Sequence, residues 1–174
     1  MTIGDIVEMA ENDSRTLLVV LALPEPLAVG QTVDRRAWPA HVTLASNFVV
    51  SEPSEVVVRV VTRACAVEPP LVLRFGDRAW FGPLHDIPVQ LVESPQIVAL
   101  HERLADALHG LAGFAVDAPA YWRDGYRPHM THVPGVSTAS GTSVRLPFIA
   151  IASMTGRSAT VISALELGKD AGGT

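Results

Sequence analysis

The chain has 174 residues, a formal net charge of -5, 48% hydrophobic residues and 18% charged ones. That length suits one compact domain or two small lobes about a cleft, and the apolar fraction excludes a disordered chain. The acidic balance argues against long duplex nucleic acid, which needs a basic face to release counterions, but leaves room for a small anionic ligand in a polar pocket.

Cys65 is the single cysteine, so neither an intrachain disulfide nor a site of several thiolates can form. A reducing, cytoplasmic setting is expected. The opening residues carry acids rather than a basic stretch, unlike a signal peptide. No run approaches the roughly 20 apolar residues that span a bilayer, so no membrane partner is expected.

Residues 1–14 and 168–174 read as flexible ends. RTLLVVLALP, from Arg15, is a nearly continuous apolar run stopped by Pro24 and predicts a buried strand. The stretch on to Pro39 reads as loop or short helix. HVTLASNFVV is rich in β-formers and predicts a second strand. Valines crowd the stretch from Glu55 to Ala66, yet Val56, Val57, Val60, Val61 and Ala64 share one helical face, with Glu55, Arg59 and Arg63 off it. Ser51, Glu52 and Pro53 supply a start, and a helix is predicted. LVLRFGDRAWFG and PVQLVE predict two strands. SPQIVALHERLADALHGLAG is the clearest helix: Ser94 caps it, Pro95 suits its first turn, and Ile97, Leu100, Leu104, Leu108 and Leu111 form its apolar stripe, with Gly113 as the stop. After a loop with Tyr121 and Trp122, HMTHVP predicts a strand. VSTASGTS reads as a flexible loop, and VRLPFIAIASMTG with ATVISALELG as a closing hairpin.

Two triplets stand out. His41-Val42-Thr43 and His129-Met130-Thr131 each sit on an expected strand, just after a proline, about half the chain apart. Composition alone gives roughly 0.4 His-x-Thr triplets by chance. On a strand, residues i and i+2 share a face, so His41 projects with Thr43 and His129 with Thr131. If both strands face one cleft, two imidazoles and two hydroxyls converge. That set suits phosphodiester chemistry without a metal. A neutral imidazole takes a proton from the attacking water or hydroxyl, a protonated one supplies the leaving oxygen, and an imidazole near 6.5 allows both states. The threonine hydroxyls can donate to non-bridging oxygens. Which imidazole is base and which is acid depends on how the substrate lies.

The paired triplets resemble the signature of the 2H phosphoesterase superfamily, which includes the 2′-5′ RNA ligase-like proteins and cyclic phosphodiesterases. The resemblance runs from about Arg15 to Leu167 and takes in FGDRAWFG, ALHERLADAL and YRPHMTHV. It implies an α+β fold, a single bilobal domain over 15–167. Each of its two pseudo-symmetric lobes is an antiparallel sheet with helices on its outer side, and the active cleft lies between the sheets. It also implies His41 and His129 as the acid–base pair, Thr43 and Thr131 as phosphate holders, and no metal or other cofactor. The implied substrate is a small nucleotide or RNA end, with a cyclic phosphate or a 2′ linkage. Two alternatives stay open: a phage-type nuclease degrading cyclic oligonucleotide immune signals, and a non-catalytic nucleotide-binding module.

Other residues carry weaker expectations. Arg127 and Tyr126 precede the second triplet and could reach the cleft mouth, the guanidinium toward phosphate and the phenol toward base or ribose. Pairing of Arg127 with an acid such as Asp124 is the competing reading. Trp80 and Phe81 could stack on a base, with core packing favoured for Phe81. His132 lies three residues after His129, on the other side of a strand, so the two cannot easily chelate one ion. A structural or supporting role is expected for it, packing for His101, a surface position for His109 and a turn for His85.

Overall fold

The computed structural model describes residues 15–169. The expected flexible ends at 1–14 and 170–174 lie outside the described residues. Gly168 and Lys169 are placed, with the Gly168 N–H donating to the Glu68 carbonyl at 3.1 Å.

In chain order the elements are β1 (Thr16–Leu23), β2 (Thr32–Asp34), β3 (Val42–Val50), α1 (Ser54–Cys65), β4 (Leu71–Phe81), β5 (Ile87–Glu93), α2 (Pro95–His109), β6 (Ala115–Val116), β7 (His129–Thr131), β8 (Ser143–Leu146), β9 (Phe148–Thr155) and β10 (Ser158–Glu166). Two short 3-10 turns, Pro119–Tyr121 and Arg123–Gly125, lead into β7. No helix among the described residues is long and apolar enough to cross a membrane.

The expected helices and long strands are present, with local differences. Residues 24–39 contain the short β2 rather than a helix. The buried face of α1 is centred on Val57, Val61 and Cys65, rotated from the expected stripe. In α2 the Ser94 hydroxyl accepts from the Ile97 N–H at 3.3 Å, and Pro95 occupies the first turn, as capping chemistry requires. The helix ends at His109, so Leu111 packs from the turn beyond it. VRLPFIAIASMTG is two strands rather than one. Pro147 breaks it, sending β8 to β4 and β9 to β1 and β10.

The expected pair of separate sheets is the main correction. Among the described residues the ten strands form one sheet in the order β2-β10-β9-β1-β3-β7-β5-β4-β8, with β6 also on β3. All its pairings are antiparallel. One pairing, Val42 with Met130, joins the two halves. The halves do not follow the halves of the chain, because the C-terminal hairpin β9–β10 returns to β1.

Alternation sorts the side chains into two layers. Leu18, Val20, Val42, Leu44, Met130 and Ile151 face both helices, which add Val57, Val61, Ile97, Leu100, Leu104 and Leu108. The opposite face of the first half carries a smaller cluster of Val19, Leu21, Ala150, Ala152 and Met154, covered in part by Leu27, Val33 and Trp38 from the loop before β3. The triplet side chains lie on this second face, away from the helices.

Candidate active site

Each triplet enters the sheet where the halves meet. Val42 and Met130 are paired and fully buried. In an antiparallel register their neighbours oppose one another crosswise, His41 against Thr131 and Thr43 against His129. All four project from the face opposite the helix layer. The pairing thus sets the two histidines diagonally across one junction.

Both imidazoles are held in the same way. His41 Nδ1 donates to the Pro39 carbonyl at 2.7 Å, and His129 Nδ1 donates to the Arg127 carbonyl at 2.9 Å. A carbonyl can only accept, so Nδ1 carries hydrogen in both rings and Nε2 is the nitrogen left for chemistry. Burial, above all, pushes His41 below its ordinary 6.5; the Pro39 bond opposes the shift and the charge of His129 adds to it. His129 is lowered likewise, chiefly by burial, with the Arg127 carbonyl opposing and the Arg127 guanidinium adding.

Each histidine has an aromatic ring and an arginine beside it. The Trp38 ring lies 5.6 Å from His41, and Phe81 meets His129 edge-on at 4.4 Å. A cavity of about 180 Å³ beside His41 is lined by Arg35, Trp38, Thr43, Ser46 and Asn47. Another of about 260 Å³ beside His129 is lined by Thr43, Ser46, Phe81, Tyr121, Tyr126 and Arg127. Thr43 and Ser46 form the wall between them. Thr131 is exposed at the rim and lines neither cavity.

Two irregularities in the strands aim these side chains. Two register slips of β3 against β1, between Thr43 and Phe48, interrupt its alternation and bring Ser46 to the cavity wall. The Ser46 hydroxyl is buried without a hydrogen-bond partner among the described residues. In β4, one extra residue between Phe75 and Arg78 reverses which side faces the helices. Gln90 donates its amide to the Gly76 carbonyl at that bulge. Unbroken alternation from the core residue Phe75 would place Phe81 in the core, as expected from sequence; the bulge turns it onto the His129 face instead.

His101 is also more than packing. Fully buried on α2, it donates Nδ1–H to the Leu44 carbonyl at 2.7 Å and accepts the Arg123 N–H on Nε2 at 3.0 Å. Those two bonds demand the neutral ring, and burial foremost lowers its affinity for a proton. Tyr126 stacks on it at 3.8 Å and 10°, and donates its hydroxyl to the Thr43 carbonyl at 2.8 Å. Tyr126 therefore lines the cavity with its ring while its hydroxyl is engaged, which redirects the expected contact with base or ribose.

Arg127 reaches the cleft mouth, its guanidinium 5.2 Å over the Phe81 ring, and forms no ion pair among the described residues. Arg123 takes the acids instead, Glu102 at 2.9 Å and Asp106 at 2.7 Å. Trp80 is 51% exposed, under the Arg78 guanidinium at 5.0 Å. His132 contacts Thr138 through Nδ1 at 3.5 Å, away from His129, and its Nε2 is buried without a partner among the described residues. His85 lies in the β4–β5 turn and His109 on the surface, as expected. The buried Cys65 thiol is pushed up to about 12, chiefly by burial, and is no nucleophile.

Sequence reasoning had no residue-level signal for Arg35, Trp38 or Ser46. A hint for Ser46 lay in Ala45-Ser46-Asn47, where apolar–polar alternation breaks inside an otherwise regular strand.

Residues 26–148 match the family model described as the 2′-5′ RNA ligase superfamily. The fold is similar to that of TT0787 of Thermus thermophilus, with a TM-score of 0.54 and 16% identity over 87% of this chain and 97% of that one. It is similar also to E. coli LigT. The complexes of LigT with NADP+ and with 3′-AMP both superpose at a TM-score of 0.53, at 16% and 17% identity, over 90% of this chain and 100% of LigT. No curated protein matches the chain in sequence. With more than half of its length matched and the paired triplets joined at one seam, the chain belongs to the 2′-5′ RNA ligase superfamily, the 2H phosphoesterases.

Proposed function

We propose that this protein is a metal-independent phosphodiesterase that opens a cyclic phosphate or a 2′-linked nucleotide by general acid–base catalysis between His41 and His129. The observation that carries this reading is the matched tethering of the two rings. Each Nδ1 is spent on a backbone carbonyl two residues back, so each Nε2 is available across the junction. One neutral Nε2 takes the proton of water as its oxygen bonds to phosphorus. The other, protonated, gives its proton to the ribose oxygen as the P–O bond breaks, and a phosphomonoester remains. Thr43 and Thr131 are assigned to the non-bridging oxygens, and Arg127 to the phosphate charge. A nucleotide substrate is consistent with E. coli LigT, which was crystallised with ATP and with 3′-AMP.

The test is turnover, with chelator present, of a panel: nucleoside 2′,3′-cyclic phosphates, ADP-ribose cyclic phosphate, 2′-5′ oligoadenylate and cyclic oligonucleotides. His41→Ala and His129→Ala should each lower kcat/KM by at least about 10²-fold. Full activity in either variant would sink the two-histidine mechanism, and activity abolished by chelator would sink the metal-free one.

A further inference from the structure

The edge of β3 that meets β7 also meets β6, and the two contacts leave a gap. β7 pairs with β3 at Val42, and β6 pairs with it at Phe48 and Val49. The chain between β6 and β7, residues 117–128, forms a strap anchored at both ends. The Asp117 N–H donates to the Asn47 carbonyl at 2.9 Å, and the Val92 N–H donates to the Pro128 carbonyl, also at 2.9 Å. The strap brings Tyr121, Tyr126 and Arg127 to the cavity beside His129. In the gap, side chains take the β3 carbonyls: Tyr126 that of Thr43, and His101 of α2 that of Leu44.

Short paths join His101 to both triplets. Its Nδ1–H fixes the backbone one residue past Thr43. Its ring stacks on Tyr126, next to Arg127, whose carbonyl tethers His129. Its Nε2 accepts the Arg123 N–H, which holds the middle of the strap. Arg123 has a φ of 57°, in the left-handed region that a residue with a side chain adopts only when its surroundings demand it. The demand comes from α2 alone: His101 holds the N–H, and Glu102 and Asp106 hold the guanidinium. An imidazole that donates from one nitrogen and accepts on the other is neutral, because imidazolium has only donors.

We infer that His101 is a positioning residue for the proposed reaction: as a neutral ring wedged between α2, β3 and the strap, it holds the Thr43 backbone and the His129 tether in place. This rests on the phosphodiesterase reading and adds a residue behind the site to it. Protonation replaces the acceptor facing Arg123 with a second donor, so the strap loses its central bond. Burial foremost resists that proton, the Leu44 bond and then Glu102 favour it, and Arg123 opposes it. Asp106 stands beyond, paired with Arg123, and β3 carries no charged residue. The hold is therefore complete at and above the ordinary 6.5 and is lost as pH falls through the lowered value.

The first test needs neither a variant nor a substrate. In the wild-type protein, protection of the Arg123 amide against hydrogen exchange, corrected for the intrinsic rate, should fall at least about tenfold from about pH 7.5 to about pH 5, while amides of the β1–β9 pair keep theirs. In His101→Gln, whose side chain does not titrate, the change should stay under about twofold. The second test is turnover. On a substrate that the protein hydrolyses, log kcat/KM should rise from acid with a slope of about two in the wild type, one proton leaving the catalytic base and one leaving His101, and of about one in His101→Gln. That variant should also lose at least about tenfold in kcat at its optimum, with KM within about threefold. A merely structural role would leave the slope alone. Arg123 protection indifferent to pH in the wild type, or equal acid slopes in the two proteins, overturns the inference. If His101→Gln does not fold, the wild-type exchange series decides by itself. A wild-type protein with pH-dependent protection that hydrolyses nothing supports the neutral wedge and sinks the phosphodiesterase reading. Turnover with pH-indifferent protection sinks the role of His101 alone.

Discussion

At the scale of single residues, two short carbonyl bonds decide what the site can do. Tethered Nδ1 atoms leave His41 and His129 with equivalent Nε2 groups, and burial lowers both imidazoles below 6.5. Productive free enzyme needs one ring neutral and one protonated. Below both lowered values the base is lost, and above both the acid is lost. The kcat/KM profile should therefore be bell-shaped, with its optimum on the acid side of 6.5 and a fall as pH rises through the lowered values. An optimum above 6.5 in a steady-state pH series would contradict these environments. Tyr126 acts at the same scale. Because β3 pairs with β7 only at Val42, the next carbonyls, of Thr43 and Leu44, are held by Tyr126 and His101. Tyr126→Phe keeps the stack and deletes one hydrogen bond, so urea unfolding should register a loss of about 1 kcal/mol, with reduced turnover. The histidines and threonines were legible in the sequence because strand alternation is local. Phe81, Ser46 and the hydrogen-bonding role of His101 were not, because bulges and contacts between distant segments set them.

At the scale of elements, α2 shows how far local chemistry carries. Its cap, its proline and four of its apolar positions follow from sequence alone, and each is present. Ser94 does more than cap, since its hydroxyl also donates to the Val72 carbonyl at 2.8 Å and ties the helix to β4. Ser94→Ala should cost about 1–2 kcal/mol in denaturant titrations and leave the pH profile of turnover in place. Strand assignments were less secure where a proline sat inside an apolar run. The residues around Pro147 read as one strand, yet they serve two partners on opposite halves of the sheet. The 3-10 turn that carries Tyr121 is packed closely against the one that follows it. A Cβ on Gly125 would lie 2.0 Å from the Ala120 carbonyl oxygen.

At the scale of the whole molecule, the junction of Val42 with Met130 is where fold and chemistry coincide. Met130 is buried against the helix layer while its neighbours His129 and Thr131 look the other way. Met130→Ala should destabilise the protein by about 2–5 kcal/mol and reduce turnover as well, whereas Met130→Leu should largely retain both. Parallel melting and activity measurements check this, and turnover left intact in a destabilised Met130→Ala would separate the seam from the site. The amino-acid sequence by itself determined the α+β class, the helices, most strands and the same-face pairing within each triplet. Those follow from period, capping and alternation, which act over a few residues. Only the tertiary structure decided that two expected sheets are one, that the triplets oppose each other crosswise, and that aromatic residues gather on the His129 side. Those depend on register between strands far apart in the chain and on one-residue bulges. A bulge reverses a strand's faces without changing its composition.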